Sequence, residues 1–154
     1  MNNKYSAAYL EAFVSVLSMF GAENVSLISE KEYGSHLDVN GVVCIVGVIG
    51  DLQGNVIFSC DEACAKLLVS YMMGGMEIAE FDEMAQSAVS ELGNMLAANA
   101  CINLSQIDVQ ADISTPTLMH GVFTVTASYD HVTCLSMNVS GEIFNIFISL
   151  EPRK

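Results

Sequence analysis

Apolar residues recur at helical spacing near the start of the chain and at alternating spacing through much of the remainder. From Tyr5 to Phe20 they repeat with a helical period and are followed by Gly21, which predicts a first helix. The stretches "NVSLISEKEYG", "GVVCIVGVIG" and "GNVIFSC" are rich in β-branched residues and are separated by "DVNG" and "DLQG", two turn signals. They predict an antiparallel meander of three strands.

Two further helices are predicted in the middle of the chain. Ser59 and Glu62 have the spacing of a capping box, and the run from Cys60 to Met73 ends at a pair of glycines, which predicts a short helix. Asp82 is then expected to cap a third helix that extends to about residue 103.

The C-terminal third alternates in strand fashion. The predicted strands are "IDVQADIS", "GVFTVTASYD", "VTCLSMNVS" and "IFNIFISL", and Gly141–Glu142 is expected to turn the last hairpin. No linker or low-complexity stretch interrupts the chain. We therefore expect one domain over residues 1–154, of the α+β class, with an antiparallel or mixed β-sheet and about three helices packed on it.

Charge and hydropathy exclude several classes of function. The chain has 5 Lys+Arg and 18 Asp+Glu, a formal net charge of −13, which disfavours nucleic acid and anionic membranes as partners. The apolar run "VVCIVGVIG" is about half the roughly 20 residues that a membrane-spanning helix requires. The N-terminus lacks the basic and apolar regions of a secretory signal, so we expect a cytoplasmic protein without membrane insertion.

The cysteines and histidines form no evident metal or catalytic motif. Cys60 and Cys64 are the only close pair and could face one side of a helix, but no His or second Cys pair stands at a zinc spacing nearby. We interpret the cysteines as reduced core residues and the three histidines as strand or turn residues, and we expect no metal site.

The predicted third helix carries a polar stripe inside a mostly apolar sequence. At about 100° per residue, Ser87, Glu91, Asn94 and Ala98 fall within an arc of about 60°, opposite Val89, Leu92 and Leu96. One interpretation is that these residues only solvate the outer face of the helix. However, the stripe is flanked by small residues, and a glycine inside a helix costs about 1 kcal/mol relative to alanine. We therefore expect a partner to approach the backbone closely there, beside Gly93, Ala97, Ala98 and Ala100.

The spacing Ser87-x3-Glu91-x2-Asn94 resembles the D/S-x3-E-x2-N motif of the CheC, CheX and FliY phosphatases of bacterial chemotaxis. In that family a proline follows the motif helix, and "ISTPTLMHG" supplies Pro116 and Gly121 here. The resemblance covers most of the chain and is greatest to CheX. In the first helix the corresponding positions are Ala7, Glu11 and Val14, so the amide is missing and one site per chain is implied.

The resemblance implies hydrolysis of the aspartyl phosphate of a CheY-like response regulator. Asn94 would orient the attacking water, Glu91 would engage a lysine of the regulator, and Ser87 and Ala98 would lie at the contact. The chain would need no cofactor of its own, because the regulator brings its Mg²⁺. A homodimer is also implied, and the sparsely charged stretch "EIFNIFISL" predicts one independently as an uncovered edge strand.

Two other functions are compatible with the residues. A non-catalytic module of the same fold could bind a receiver domain or assemble with switch-type proteins without hydrolysing anything. A small-molecule binding domain is a third possibility, but the sequence has no Gly-rich phosphate loop and no His–carboxylate constellation to support it.

Overall fold

The computed structural model describes residues 3–153 of the chain. It contains three helices, α1 (Asn3–Met19), α2 (Glu62–Met72) and α3 (Glu83–Ser105). The strands are β1 (Val25–Tyr33), β2 (His36–Gly50), β3 (Leu52–Cys60), β4 (Ala111–Ile113), β5 (Thr117–Thr126), β6 (Val132–Val139) and β7 (Glu142–Pro152). No described helix is both long enough and apolar enough to cross a membrane.

The seven strands form one antiparallel sheet with the helices packed on one face. The strand order is β1-β6-β7-β3-β2, and the far edge of β2 pairs with β5 along its first part and with β4 at its end. The main core lies between this sheet and the helices, around Phe13 of α1, Leu68 of α2 and Leu96 of α3. The predicted α+β class, with three helices on an antiparallel sheet, is confirmed.

The predicted three-strand meander is only partly right. β2 and β3 form a hairpin as expected, but β1 pairs with β6, with Val25 opposite Val139. The "DVNG" stretch is not a turn and lies inside the long strand β2. Gly41 has a φ of +135°, and an added Cβ would lie 2.4 Å from the Cys60 carbonyl oxygen. The glycine therefore permits β2 to pass the β3–α2 junction closely.

The N-cap of α2 differs from the sequence prediction. Ser59 remains in β3, opposite Asn145, and the cap is Asp61, whose Oδ1 accepts a hydrogen bond from the Cys64 N–H at 2.8 Å. An aspartate serves this position as well as a serine because its carboxylate also faces the positive end of the helix dipole. The predicted exit at the glycine pair is confirmed, since both residues have positive φ.

A second core lies on the sheet face away from the helices, and the sequence pattern did not predict it. Leu37 of β2 and Val125 of β5 are buried there with Val132, Cys134 and Phe147 of the central strands. The segment after β5 crosses this face: the Ser128 N–H donates to Asn55 Oδ1, and the Tyr129 N–H donates to Ser149 Oγ. The β2–β5 arm thus covers the outer face of its own sheet.

The C-terminal strand is not an edge strand. β7 lies between β6 and β3, with Phe147 opposite both Cys134 and Ile57, so its apolar sequence reflects burial. The predicted β6–β7 hairpin is confirmed, and its turn residues Ser140 and Gly141 both have positive φ. The homodimer was predicted from a free β7 edge, and this reason is wrong. The free edges of the sheet belong to β1, β4 and β5.

Candidate active site

Helix α3 is positioned by its N-cap and by its fit against the sheet. Asp82 Oδ1 accepts a hydrogen bond from the Ala85 N–H at 3.0 Å, which confirms the predicted start of the helix. The predicted apolar face is also confirmed, since Val89, Leu92 and Leu96 are buried. The polar stripe consequently faces away from the core.

The small residues of α3 have a different role from the one expected. Gly93, Ala97 and Ala100 are buried, and only Ala98 of that set is exposed. A Cβ added at Gly93 would lie 2.6 Å from Cys44 Sγ of β2. The small residues thus allow α3 to approach the sheet, and the expectation that they admit a partner is wrong for Gly93, Ala97 and Ala100.

Three of the four predicted site residues lie in one open groove. Ser87 and Glu91 are exposed, Asn94 is half-buried, and all three line a cavity of about 610 Å³. The opposite wall is formed by Thr115 and Pro116 of the β4–β5 connection and by Leu118 at the start of β5. Ala98 is exposed but lies outside the residues that line this groove.

The β4–β5 wall is tied to the sheet next to it. Ser114 and Gly47 of β2 are joined twice: the Gly47 N–H donates to Ser114 Oγ at 2.9 Å, and the Ser114 N–H donates to the Gly47 carbonyl at 3.0 Å. Pro116, which the sequence singled out only by its distance from the motif, follows this anchor and faces α3 across the groove. The groove is therefore formed by two anchored elements.

Three more polar residues of α3 line the groove and were missed from the sequence. They are Glu83, Gln86 and Ser90. Glu83 stands four residues before Ser87, so extending the stripe by one turn toward the N-terminus would have found it. Gln86 is held by its own chain, since its Nε2 donates to the Phe81 carbonyl at 3.2 Å.

The groove is acidic, and its Glu83, Glu91 and Asn94 side chains have no intramolecular partner among the described residues. Glu83 and Glu91 are its charged lining residues, and within residues 3–153 neither forms an ion pair. Glu62, outside the groove, instead contacts Lys66 at 3.2 Å and His120 at 3.5 Å. The Asn94 side chain also has no hydrogen-bond partner in the described part of the chain. These groups remain available to an external ligand.

The histidines and four of the five cysteines are placed as the sequence predicted, whereas Cys101 is only half-buried. In the described residues all five cysteines are free, and four are buried. Burial raises the pKa of Cys44 to about 11, and a hydrogen bond with Cys64 together with burial raises the pKa of Cys60. The histidines lie at strands or turns, and His120 contacts the Phe81 ring edge-on. Among residues 3–153, no three His, Cys, Asp or Glu side chains come together as a metal site.

The corresponding positions of α1 also face outward. Ala7 and Glu11 are exposed, and Val14 is 38% exposed. Helix α1 therefore presents a carboxylate on its surface, but it has an isopropyl group where α3 has the Asn94 amide.

Sequence comparison assigns the family. Residues 42–140 match the family described as Chemotaxis phosphatase CheX. The CheY-P phosphatase CheX of Thermotoga maritima is 34% identical over 119 residues, which cover 76% of this chain and 77% of that protein. The chain belongs to the CheX family of chemotaxis phosphatases.

Solved structures with the same fold agree with this assignment. A CheC-like superfamily protein from a Shewanella species has a TM-score of 0.86 at 20% identity, covering 98% of this chain and 99% of that one. CheX in the CheX–CheY–BeF3–Mg²⁺ complex of Borrelia burgdorferi has a TM-score of 0.74 at 23% identity, covering 96% and 97% of the two chains. The fold is that of the CheC and CheX proteins.

Proposed function

We propose that this chain is a phosphatase that hydrolyses the aspartyl phosphate of a CheY-like response regulator. The observation that carries the proposal is the groove in which Glu91 and Asn94, whose side chains have no partner among residues 3–153, lie side by side on helix α3. Family membership supports it, because the Thermotoga maritima relative is a CheY-P phosphatase. The CheX–CheY complex of Borrelia burgdorferi supports a CheY-like partner.

Asn94 is assigned the positioning of water. Its amide oxygen can accept a hydrogen bond from the attacking water, its NH₂ can donate to a phosphoryl oxygen, and the group does not titrate near neutral pH. The water oxygen forms a bond to phosphorus while the bond from phosphorus to the aspartyl oxygen breaks. The products are the free aspartate carboxylate and inorganic phosphate, which takes up the proton that the water loses.

Glu91 is assigned the docking of the regulator. It lies three residues before Asn94 on the same face, so an ion pair with a lysine of the regulator would orient the amide toward the phosphoryl group. Ser87 would hydrogen-bond at the edge of this contact, and the exposed Ala98 would leave space beside it. The chain needs no metal of its own in this scheme, because the regulator holds the Mg²⁺ that neutralises phosphoryl charge.

The assay that tests the proposal follows loss of the acyl phosphate from purified CheY-like regulators, each with and without this protein. Hydrolysis accelerated in proportion to protein concentration is the expected result. A regulator that binds in a titration without accelerated hydrolysis would contradict the enzymatic proposal and leave a non-catalytic receiver-binding module as the better interpretation.

A homodimer is also proposed, through a different edge from the one first expected. Within residues 3–153, β5 pairs with β2 alone, and its sequence from Thr117 to Thr126 contains no Lys, Arg, Asp or Glu. Val122 of this strand is 79% exposed. The other long edge, β1, carries Glu30, Lys31 and Glu32 and a bulge after Leu27, which discourage pairing.

The dimer is tested by the mass of the protein in solution at micromolar concentration. A dimer mass is expected, and Val122→Lys should convert it to a monomer, whereas Leu27→Lys on β1 should leave it unchanged. A wild-type monomer would contradict the proposal. The cytoplasm is the proposed location, because CheY-like regulators are the proposed substrates there.

A further inference from the structure

The groove extends well beyond the Glu91–Asn94 pair toward the N-terminus of α3. Its lining residues on the helix run from Glu83 to Asn94, a rise of about 16 Å at 1.5 Å per residue. At about 100° per residue, Glu83 lies within roughly 20° of Asn94 around the helix axis. A partner that follows the groove from Asn94 therefore reaches Glu83.

In the part of the chain that the structure describes, the Glu83 carboxylate has no ion-pair or hydrogen-bond partner. The opposite wall contributes Thr115, Pro116 and Leu118, none of them charged, and Gln86 on the same side of the helix is bonded to the Phe81 carbonyl. A carboxylate in the first turn of a helix interacts favourably with the helix dipole whichever way that turn faces. Stabilisation of the helix does not require Glu83 to line the groove, whereas docking of a partner does. Replacing Glu83 should therefore lower only helix stability in the first case and also weaken binding in the second.

We propose that Glu83 is a specificity-determining residue, a second docking carboxylate that selects a regulator carrying two cationic side chains. This inference rests on the proposed function. One cation would contact Glu91, and the other would lie roughly 12 Å away along the groove, the rise between residues 83 and 91. A regulator with only the first cation would still be hydrolysed, but at a higher KM.

The experiment compares Glu83→Gln with the wild type on one CheY-like regulator phosphorylated by acetyl phosphate. At low salt KM should rise by about threefold, as an exposed ion pair allows, while kcat at saturation stays unchanged. Near 1 M salt the Debye length falls to about 3 Å, so the ion pair is screened and the difference in KM should vanish. Glu83→Asp should recover part of the affinity.

Glu77→Gln is the matched control. Glu77 is exposed in the α2–α3 loop and lies outside the groove lining, so it changes the net charge equally without removing a groove contact. Equal KM values for the two Gln variants, or a KM for Glu83→Gln that equals the wild-type value, would overturn the inference. Thermal unfolding of both variants separates a loss of helix stability from a loss of docking.

The same variants are titrated with the regulator in an Asn94→Ala background, with dissociation constants measured directly. If wild type binds but does not hydrolyse, the proposed function fails, while a weaker Kd for Glu83→Gln still supports the docking role. If wild type hydrolyses and Glu83→Gln binds as tightly as Glu77→Gln, only the inference about Glu83 fails.

Discussion

Helices α1 and α3 lie side by side, and each exposes a glutamate, but the residue one turn further along differs between them. Asn103 Nδ2 of α3 donates to the Ala8 carbonyl of α1 at 2.9 Å, which joins the two helices directly. Each helix exposes a central glutamate, Glu11 or Glu91. Three residues later α1 has Val14 and α3 has Asn94. Under the proposed function an exposed glutamate is not sufficient for a site, and the Asn94 amide beside the anchored wall is what distinguishes α3 from α1.

The two helices also meet the sheet differently. Two residues after its glutamate, α1 has Phe13, whose ring packs 4.9 Å from the Phe144 ring. At the same offset α3 has Gly93, which places its backbone against Cys44. The Phe13 ring fills the space between α1 and the strands, whereas at Gly93 no side chain separates α3 from Cys44.

The largest expected effect is on catalysis by Asn94→Ala. Loss of the amide should lower kcat by on the order of 10²-fold or more, by analogy with removal of one positioned donor from a preorganised site. Binding of the phosphorylated regulator should survive. Asn99→Ala is the matched control, since Asn99 is on the same helix but outside the groove lining. Equal kcat values for the two variants would show that the stripe is only a solvated face.

Gly93→Ala should destabilise the fold. The added Cβ would lie 2.6 Å from Cys44 Sγ, and overpacking of a buried site costs about 1–3 kcal/mol, which equals or exceeds the roughly 1 kcal/mol gained in helix propensity. Urea unfolding measures the difference. The double variant Gly93→Ala, Cys44→Ala should recover most of the loss, and a single variant as stable as wild type would contradict the close contact.

Glu91→Ala should weaken binding of the regulator while leaving the fold intact. The expected loss of affinity is up to about fivefold at low salt, because one exposed ion pair is removed, and it should diminish as salt is raised. Calorimetric titration at two salt concentrations measures it. A loss of the same size at both salt concentrations would argue against an ionic contact.

The smallest effect is expected on α1. Glu11→Ala and Val14→Ala, alone or together, should leave both kcat and KM at wild-type values, because α1 lacks the amide. Their unfolding free energies should change by no more than about 0.5 kcal/mol at these exposed or nearly exposed positions. A clear fall in kcat would indicate that α1 carries a second site.

Local signals in the sequence predicted the helices and the outward-facing polar stripe of α3 that lines the candidate site. Asp82, the glycine pair after α2 and the spacing of Glu91 and Asn94 depend on contacts within a few residues, so they can be inferred from the sequence. The cap of α2 was misplaced because Ser59 and Glu62 have the spacing of a capping box, whereas pairing with Asn145 keeps Ser59 in β3 and Asp61 caps the helix.

Non-local pairing caused the other errors. The partner of β1, strand β6, is separated from it by roughly a hundred residues, and the sequence of β1 does not indicate which strand it pairs with. The buried position of Gly93 could not be distinguished from an exposed one, because a small residue permits close approach from either side of a helix. The apolar sequence of β7 is similarly compatible with a central strand or an edge strand, and only the strand order shows that β7 is central.

The contact between Gly93 and Cys44 makes the thiol a reporter of helix motion. With a pKa of about 11, only about one thiol in 10³ to 10⁴ is ionised near neutral pH, and α3 covers it, so alkylation requires the helix to lift from β2. The half-buried Cys101 would react first and can be removed as Cys101→Ser. The labelling rate of Cys44, followed by peptide mass spectrometry, would then measure how often the helix detaches, with every groove side chain left in place.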